Sequence, residues 1–353
     1  MINRWDCLFL LIMTLPIMGH VVILPLLLDV AGRDGWVSAF LAMPVGFATA
    51  FAIFRVRRKH PGLDFRTIAS TLAGKPVGLL LEFVLTGYFL FLSILSTASL
   101  TDLVRIGFLP STPVWATGLF FLLFALYTAS KGIKVIAWTA TILGLIGMAT
   151  GHSVSLLDSR EKEFQSLFPV FEFGASPALW GTLALCSIWV ELLFLLLVPL
   201  EDLRKKRTFT FWAVGVALNV LMMLSTTTGV IMIFGAGQAD NFTFPAFEIV
   251  RILSLGFIDR FDIYALILMT FGCYIRTSLY MYLTYSTFSR LSRKKWVQRT
   301  IFWLLGVMIA VASTKLGKSH GHMLQASVYY IYGIFLLPIP VLLWLLTRFR
   351  RPA

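Results

Sequence analysis

The sequence predicts an all-α integral membrane protein with ten transmembrane helices, arranged as two inverted repeats of five. Of its 353 residues, 58% are hydrophobic and only 13% are charged, and the mean hydropathy is +0.84, far from the balance of a soluble globular domain. Neutral runs long enough to cross a bilayer recur along the whole chain. An odd number of crossings in each half inverts the second half relative to the first. We therefore expect residues 1–353 to form a single transmembrane domain.

Ten neutral or nearly neutral runs mark the expected helices. Their approximate bounds, in chain order, are 8–29, 36–54, 77–103, 112–130, 134–151, 178–199, 209–235, 262–288, 300–314 and 324–346. The first repeat then covers about 6–151 and the second about 178–346, followed by a cytoplasmic tail, 347–353. Between helices seven and eight, apolar residues recur at helical spacing within 236–260, which favours a surface or re-entrant helix.

The net charge of +13 follows from membrane topology, so a nucleic-acid partner is not expected. With a cytoplasmic N-terminus, about 21 of the 30 Lys and Arg fall in cytoplasmic segments and about eight in outer segments, with Arg276 inside a helix. The positive-inside rule therefore predicts that both termini are cytoplasmic. The basic run at 204–207 is a topology determinant, with contact to anionic lipid or to a cytoplasmic partner domain as the alternative.

The chain carries no recognisable catalytic or cofactor motif, so we expect no enzymatic activity, no cofactor and no bound metal. The three cysteines, Cys7, Cys186 and Cys273, lie in or beside apolar runs without metal-ligand spacing and are interpreted as packing residues. The apolar run from Leu8 imitates a signal peptide, but Asp6 interrupts its start. We interpret it as the first membrane helix.

In inverted-repeat transporters the first helix of each repeat is broken near mid-membrane, and the freed backbone groups bind the solute. Pro16 lacks an amide donor and Gly19 tolerates unusual dihedral angles, so the first helix is expected to break at 15–20. Helix six has neither residue at the corresponding depth, and a break at 187–191 is expected from symmetry alone. The expected substrate-binding residues are those of the two breaks and one aromatic residue of helix three: Pro16, Ile17, Met18, Gly19, Tyr88, Ser187, Trp189 and Glu191.

Arg276 lies at the centre of an uncharged stretch, with thirteen neutral residues on each side. Because an arginine facing lipid at that depth is costly, its side chain should face the protein interior or a wet cavity and have a partner, either Glu191 or Glu82. Glu191 could instead serve a ligand amine or carry a proton, whereas Glu82 lies nearer the cytoplasmic end, where hydration favours a structural role. His20 is either a group that titrates near neutral pH or a hydrogen-bonded core residue.

Several segments resemble the GerAB family of spore germination proteins, the B subunits of nutrient germinant receptors, which belong to the amino acid-polyamine-organocation transporter superfamily. The resemblance runs from end to end of the chain. Its segments are RDGW (33–36), HPGLDFRTIASTLAGK (60–75), STPVW (111–115), SKGIKVIA (130–137), LFPVFEFG (167–174) and FPAFEIVRILSLGFIDRFDIY (244–264). The most specific piece is FPAFEIVR followed by the IDRFD element.

The resemblance implies a LeuT-like fold in the inner membrane of an endospore, where the chain acts with an A subunit and a lipoprotein C subunit to sense a small nutrient such as an amino acid. It also implies that Arg276, on helix eight, lies against the first half of helix one, where sodium-coupled relatives hold an ion. The guanidinium could then replace that cation. Two other functions remain open: a proton-coupled amino acid permease that titrates Glu191 or Glu82, and a passive pore for water or ions.

Overall fold

A computed structural model describes residues 1–201, 203, 205, 207–253, 261–318 and 330–349. Its secondary structure within these ranges is helical, apart from one isolated β-bridge between Ile2 and Leu200. The α-helices are α1 (Arg4–Met18), α2 (Leu24–Ala31), α3 (Gly35–Lys59), α4 (Phe65–Ala73), α5 (Lys75–Gly107), α6 (Val114–Lys131), α7 (Ile133–Leu157), α8 (Ser176–Trp189), α9 (Phe194–Leu197), α10 (Thr208–Phe234), α11 (Ala236–Ala239), α12 (Pro245–Arg251), α13 (Asp262–Phe288), α14 (Lys295–Lys318) and α15 (Pro338–Phe349).

Nine helical stretches of the described residues are long and apolar enough to cross a membrane. The first of them, Arg4–Lys59, has 56 residues, more than twice the ~20 that one crossing needs. It turns at Gly32, whose φ of 50° lies in the left-handed region that glycine adopts without strain. α1 with α2 therefore makes the first crossing and α3 the second, so the nine stretches contain ten crossings, as predicted.

The helices extend further than the neutral runs at several ends. α3 continues through the basic cluster to Lys59, and α14 begins at Lys295 rather than near 300. Long basic side chains can lie along a helix end and still reach the polar interface, so a charge does not end the helix. The predicted start of the tenth helix at 324, part of the basic run at 204–207 and residues 350–353 of the tail lie outside the described residues.

Two shorter helical segments lie between crossings. α4 has only nine residues, so a search for membrane-length runs does not find it; its apolar side is buried and Asp64 caps its first turn. In the predicted surface segment 236–260, the structure has α11 and α12, with Phe247 and Val250 of α12 buried. Residues 254–260 of that segment lie outside the described part of the chain.

Both helices that open a repeat are interrupted. Pro16 lies in the last turn of α1, and a π-helical turn, Gly19–Ile23, joins α1 to α2. In helix six, α8 passes into a 3₁₀ turn, Val190–Leu193, before α9. Such turns leave or redirect backbone groups of the regular helix and are frequent at functional sites. The interruption that symmetry predicts in helix six thus lies within three residues of the expected place.

The two interrupted helices are tied together at one membrane face. The amide of Ile2 donates to the carbonyl of Pro199 at 3.0 Å, and the amide of Glu201 donates to the carbonyl of Ile2 at 2.9 Å. The buried guanidinium of Arg57 on α3 donates to three carbonyls, those of Leu63, Leu196 and Val198. The start of helix one and the end of helix six therefore form one connected unit.

Candidate functional site

A buried charge centre lies where α1, α5, helix six and α13 meet. Arg276, near the middle of α13, is fully buried and pairs with the carboxylate of Glu191. Its Nη1 also donates to the carbonyl of Thr14 at 2.5 Å, and its Nε donates to the hydroxyl of Ser96 at 3.0 Å. Of the two partners considered for Arg276, the structure places Glu191 on the guanidinium.

Glu191 is also fully buried, and both of its donors reach the same oxygen. Besides Arg276, the hydroxyl of Tyr280 donates to Oε2 at 2.5 Å. Tyr280 lies one helical turn after Arg276, so both side chains project from one face of α13, and its ring stacks on Phe89 with centroids 5.3 Å apart. A buried carboxylate is costly unless it is paired and hydrogen-bonded. The two donors from α13 meet that requirement.

The charge centre lies beside the interruption of helix one. Thr14 precedes Pro16 by two residues, and its carbonyl accepts from Arg276 across the α1–α13 contact. Gly272, one turn before Arg276, brings the helices close, because a Cβ there would lie 2.0 Å from a carbon of Ile17. The predicted site residue Ile17 therefore packs against α13, and a fixed cation lies where a main-chain carbonyl of helix one is available.

A small cavity lies between α1, α3, α8 and α10. Its water-accessible volume is about 10 Å³, room for about one water molecule. The lining residues are Leu15, Pro16, Ala39, Ala42, Leu185, Ile188, Trp189, Asn219, Val220 and Met223. Two predicted site residues from different repeats, Pro16 and Trp189, thus meet at this cavity.

Asn219 gives this apolar cavity a hydrogen-bonding group. Its side chain is almost fully buried, and its Nδ2 donates to the carbonyls of Gly215 at 2.7 Å and Leu11 at 3.3 Å. Its Oδ1 has no hydrogen-bond partner among the described residues. Because an unsatisfied buried acceptor costs free energy, this oxygen favours a ligand or water that donates a hydrogen bond. The sequence does signal Asn219, as a polar residue amid apolar residues of helix seven.

Small residues allow bulky side chains to close the cavity. The indole nitrogen of Trp189 donates to the carbonyl of Ala42 at 2.9 Å, and a Cβ on Gly46 would lie 2.7 Å from the indole ring. On the opposite side, a Cβ on Gly19 would lie 2.1 Å from the sulfur of Met223. A ligand larger than water can therefore enter only if the side chain of Trp189 or Met223 moves.

The remaining predicted site residues lie away from this cavity. Ser187 donates to the carbonyl of Ala184 at 2.5 Å, and Met18 ends α1. The ring of Tyr88 lies 6.0 Å from that of Tyr332, in the contact between α5 and the last crossing. His20 makes a 3.0 Å hydrogen bond with the hydroxyl of Thr226.

Glu82 belongs to a separate charge cluster at the membrane face that carries the two tied helix ends. Its carboxylate lies 3.5 Å from Arg290 and 3.8 Å from Arg66, and Arg290 also contacts Asp64 at 2.6 Å. Burial acts to raise the pKa of Asp64, but the hydrogen bond with Thr67 and the charge of Arg290 outweigh it, so the pKa lies below its usual value.

The described residues offer no group of three or more His, Cys, Asp or Glu side chains that could hold a metal. Cys7, Cys186 and Cys273 are all buried with free thiols. The chemistry available in these two sites is therefore hydrogen bonding, charge pairing and apolar contact.

Comparison with known proteins places the chain among spore germination proteins. A family described as "Spore germination protein" matches residues 2–318. Spore germination protein XB of Bacillus anthracis is 27% identical over 342 residues, which cover 96% of this chain and 93% of that protein.

The fold is shared with solved membrane transporter structures. A structure of MhsT in complex with L-phenylalanine superposes with a TM-score of 0.67 at 16% identity and covers 97% of this chain and 88% of that one. The nucleobase-cation-symport-1 family transporter Mhp1, in a closed conformation with bromovinylhydantoin bound, gives a TM-score of 0.65 at 14% identity, with 97% and 77% covered. At these identities the likeness establishes the fold alone: a LeuT-like, five-plus-five inverted repeat.

Proposed function

Because this multi-pass membrane protein belongs to the spore germination protein family, in its GerAB group, we propose that it is the nutrient-sensing B subunit of a germinant receptor. It binds a small nutrient with an amino group, such as an amino acid, near mid-membrane. The bound state is passed to an A subunit and a C subunit in the inner spore membrane. Both termini face the cytoplasm, and the output is binding rather than turnover.

The observation that carries the proposal is the cavity where the two interrupted helices meet. Pro16 from helix one and Trp189 from helix six lie on its wall, and the Oδ1 of Asn219 is available to accept a hydrogen bond from a ligand. A mostly apolar pocket with one well-placed polar group is the usual form of a small-molecule site. An ammonium or amide group suits that acceptor, and the apolar wall suits an aliphatic or aromatic side chain.

The closed state of the cavity supports sensing. A nutrient does not fit in about 10 Å³, so binding must displace Trp189 or Met223 and open the packing between α3, α8 and α10. A ligand shifts a conformational equilibrium only to the extent that it binds one state better than another. Here the closed state has almost no room for a nutrient, so the ligand strongly favours the opened state.

Arg276 serves in this proposal as a fixed substitute for a coupling ion. Its guanidinium donates to the carbonyl of Thr14 on helix one and neutralises Glu191 on helix six. The charge is permanent, so the conformational equilibrium needs no sodium. The same contacts serve the structural interpretation, because the ion pair also joins helices six and eight; the two roles are compatible.

Binding and uptake assays on the purified chain separate a receptor from a permease. A panel of radiolabelled amino acids is tested for binding in detergent and for accumulation in proteoliposomes with an imposed proton gradient. A receptor binds one class of nutrient without sustained accumulation. Accumulation driven by the proton gradient would establish the permease instead, and ion or water conductance without nutrient would establish a passive pore.

A further inference from the structure

A second cavity lies far from the charge centre, between α4 and the first turns of α5. It is an open groove of about 690 Å³ at the membrane face where α1 begins. Two cationic side chains, Arg66 and Lys75, lie on its walls, together with the hydroxyl groups of Thr67, Ser70 and Thr71. Cations and hydroxyl donors are the groups that bind a phosphate ester.

The backbone holds this groove in shape. Gly74, with φ of 97°, turns the chain sharply between the two helices, a conformation that other residues adopt only with strain. Gly78 then allows close contact, because a Cβ there would lie 2.5 Å from the backbone nitrogen of Ser70. α4 buries its apolar side, including Ile68 and Leu72, and leaves its polar side facing the groove. The groove is therefore a consequence of helix packing.

The lining of the groove is cationic. Arg66 lies 3.8 Å from Glu82, a long contact in which Glu82 is shared with Arg290 at 3.5 Å. The other nearby acid, Asp64, is held by Arg290 at 2.6 Å. Neither carboxylate lines the groove, so an anion there would meet Arg66 and Lys75 first.

The groove opens toward the lipid side of α5. Immediately after Lys75 the helix presents exposed apolar side chains: Val77, Leu80 and Phe83 are 42%, 62% and 46% exposed. α5 begins its crossing here, so these side chains enter the hydrocarbon region while Arg66 and Lys75 remain at headgroup depth. A soluble anion would use only the cationic part, whereas a phospholipid would use both parts.

We propose that this groove is a binding site for the headgroup of an anionic phospholipid. The phosphate lies between Arg66 and Lys75 and accepts hydrogen bonds from the neighbouring hydroxyl groups. One acyl chain runs along Leu80 and Phe83. The site connects the α4–α5 turn, and through Glu82 and Arg290 the end of α13, to the composition of the surrounding membrane.

Native mass spectrometry of the delipidated full chain tests this site, with phosphatidylglycerol and phosphatidylcholine titrated separately. The double variant Arg66→Gln/Lys75→Gln is compared with Arg293→Gln/Lys294→Gln, which removes two exposed cations at the same membrane face outside the groove. At about 1 kcal/mol for each cation near a membrane surface, the groove variant should bind phosphatidylglycerol about 30-fold more weakly. Phosphatidylcholine binding and the control variant should change little.

A third variant, Thr67→Trp, fills the groove while both cations remain, and thermal unfolding in detergent checks that each variant is folded. We expect it also to lose phosphatidylglycerol. Equal losses in the groove and control variants, or full retention by Thr67→Trp, would overturn the proposal. So would inorganic phosphate competing as well as the lipid does, since a site for free phosphate makes no use of the apolar side of α5.

Discussion

Arg276 on α13 and Glu191 in the 3₁₀ turn of helix six form an ion pair in which neither side chain is exposed to solvent. The hydroxyl of Tyr280 donates to the same carboxylate oxygen at 2.5 Å, and the carbonyl of Thr14 accepts from the same guanidinium nitrogen. The pair therefore joins helix eight to both interrupted helices, at the depth where LeuT-like folds bind their solutes.

Removal of one member of this pair should destabilise the protein strongly. Glu191→Gln leaves the charge of Arg276 buried without its counter-ion, and such changes cost about 3–5 kcal/mol. The double variant Glu191→Leu/Arg276→Met should recover much of the loss, because no charge remains to be compensated. Thermal unfolding in detergent measures both effects.

The exposed pair Arg33–Glu172, at 2.7 Å with side chains 30% and 44% exposed, provides the control. Glu172→Gln should cost only about 0–1 kcal/mol, since solvent screens that pair. If the buried and exposed variants lose stability equally, the charge centre is not as dry as the structure indicates.

Nutrient binding should be independent of sodium. The guanidinium of Arg276 already occupies the contact between α13 and the Thr14 carbonyl, where a bound cation would otherwise supply the charge. Replacement of sodium by choline should therefore leave both the nutrient affinity and the unfolding temperature unchanged. Isothermal titration and thermal shift measurements in matched buffers check this, and stabilisation of the wild type by sodium would contradict it.

Asn219→Ala should weaken nutrient binding while the protein remains folded. The variant removes the only polar side chain among the lining residues of the cavity, and one hydrogen bond is worth about 0.5–1.5 kcal/mol, so affinity should fall by up to about tenfold. Asn241→Ala is the matched control, since Asn241 is an exposed asparagine that bonds to the carbonyl of Gly237. Equal affinities in both variants would place the nutrient elsewhere.

Asp64 should make stability depend on pH at the acid end. Its pKa is lower in the folded chain than in the unfolded one, so its contribution is present above the unfolded pKa and is lost as pH falls through the folded pKa. Asp64→Asn should therefore unfold at a lower temperature than wild type near pH 7, and the difference should disappear in acid, below the unfolded value of about 3.9.

Arg290→Gln is the partner control for this pH dependence. Since Arg290 supplies part of the charge that lowers the pKa of Asp64, its removal should reduce the same difference between neutral and acid pH. A pH profile unchanged by either substitution would mean that the pair is fully screened by solvent.

Local properties of the chain were sufficient for the architecture. Hydrophobic length is read over about 20 consecutive residues, so the ten crossings can be predicted without knowing what they pack against. The interruption at Pro16 and Gly19 has a local cause as well, because proline removes a donor and glycine relaxes the backbone. The short amphipathic helix α4 was missed, since its nine residues fall below that length.

The sites depended on contacts between distant residues. Glu191 and Arg276 are 85 positions apart, and only the packing of helix six against α13 places Glu191, rather than Glu82, on the guanidinium. Packing also brought Asn219 to the cavity with Pro16 and Trp189, and left Tyr88, Ser187 and Ile17 in helix contacts outside it. A residue's polarity states that it needs a partner in the membrane, whereas the identity of that partner is a property of three-dimensional packing.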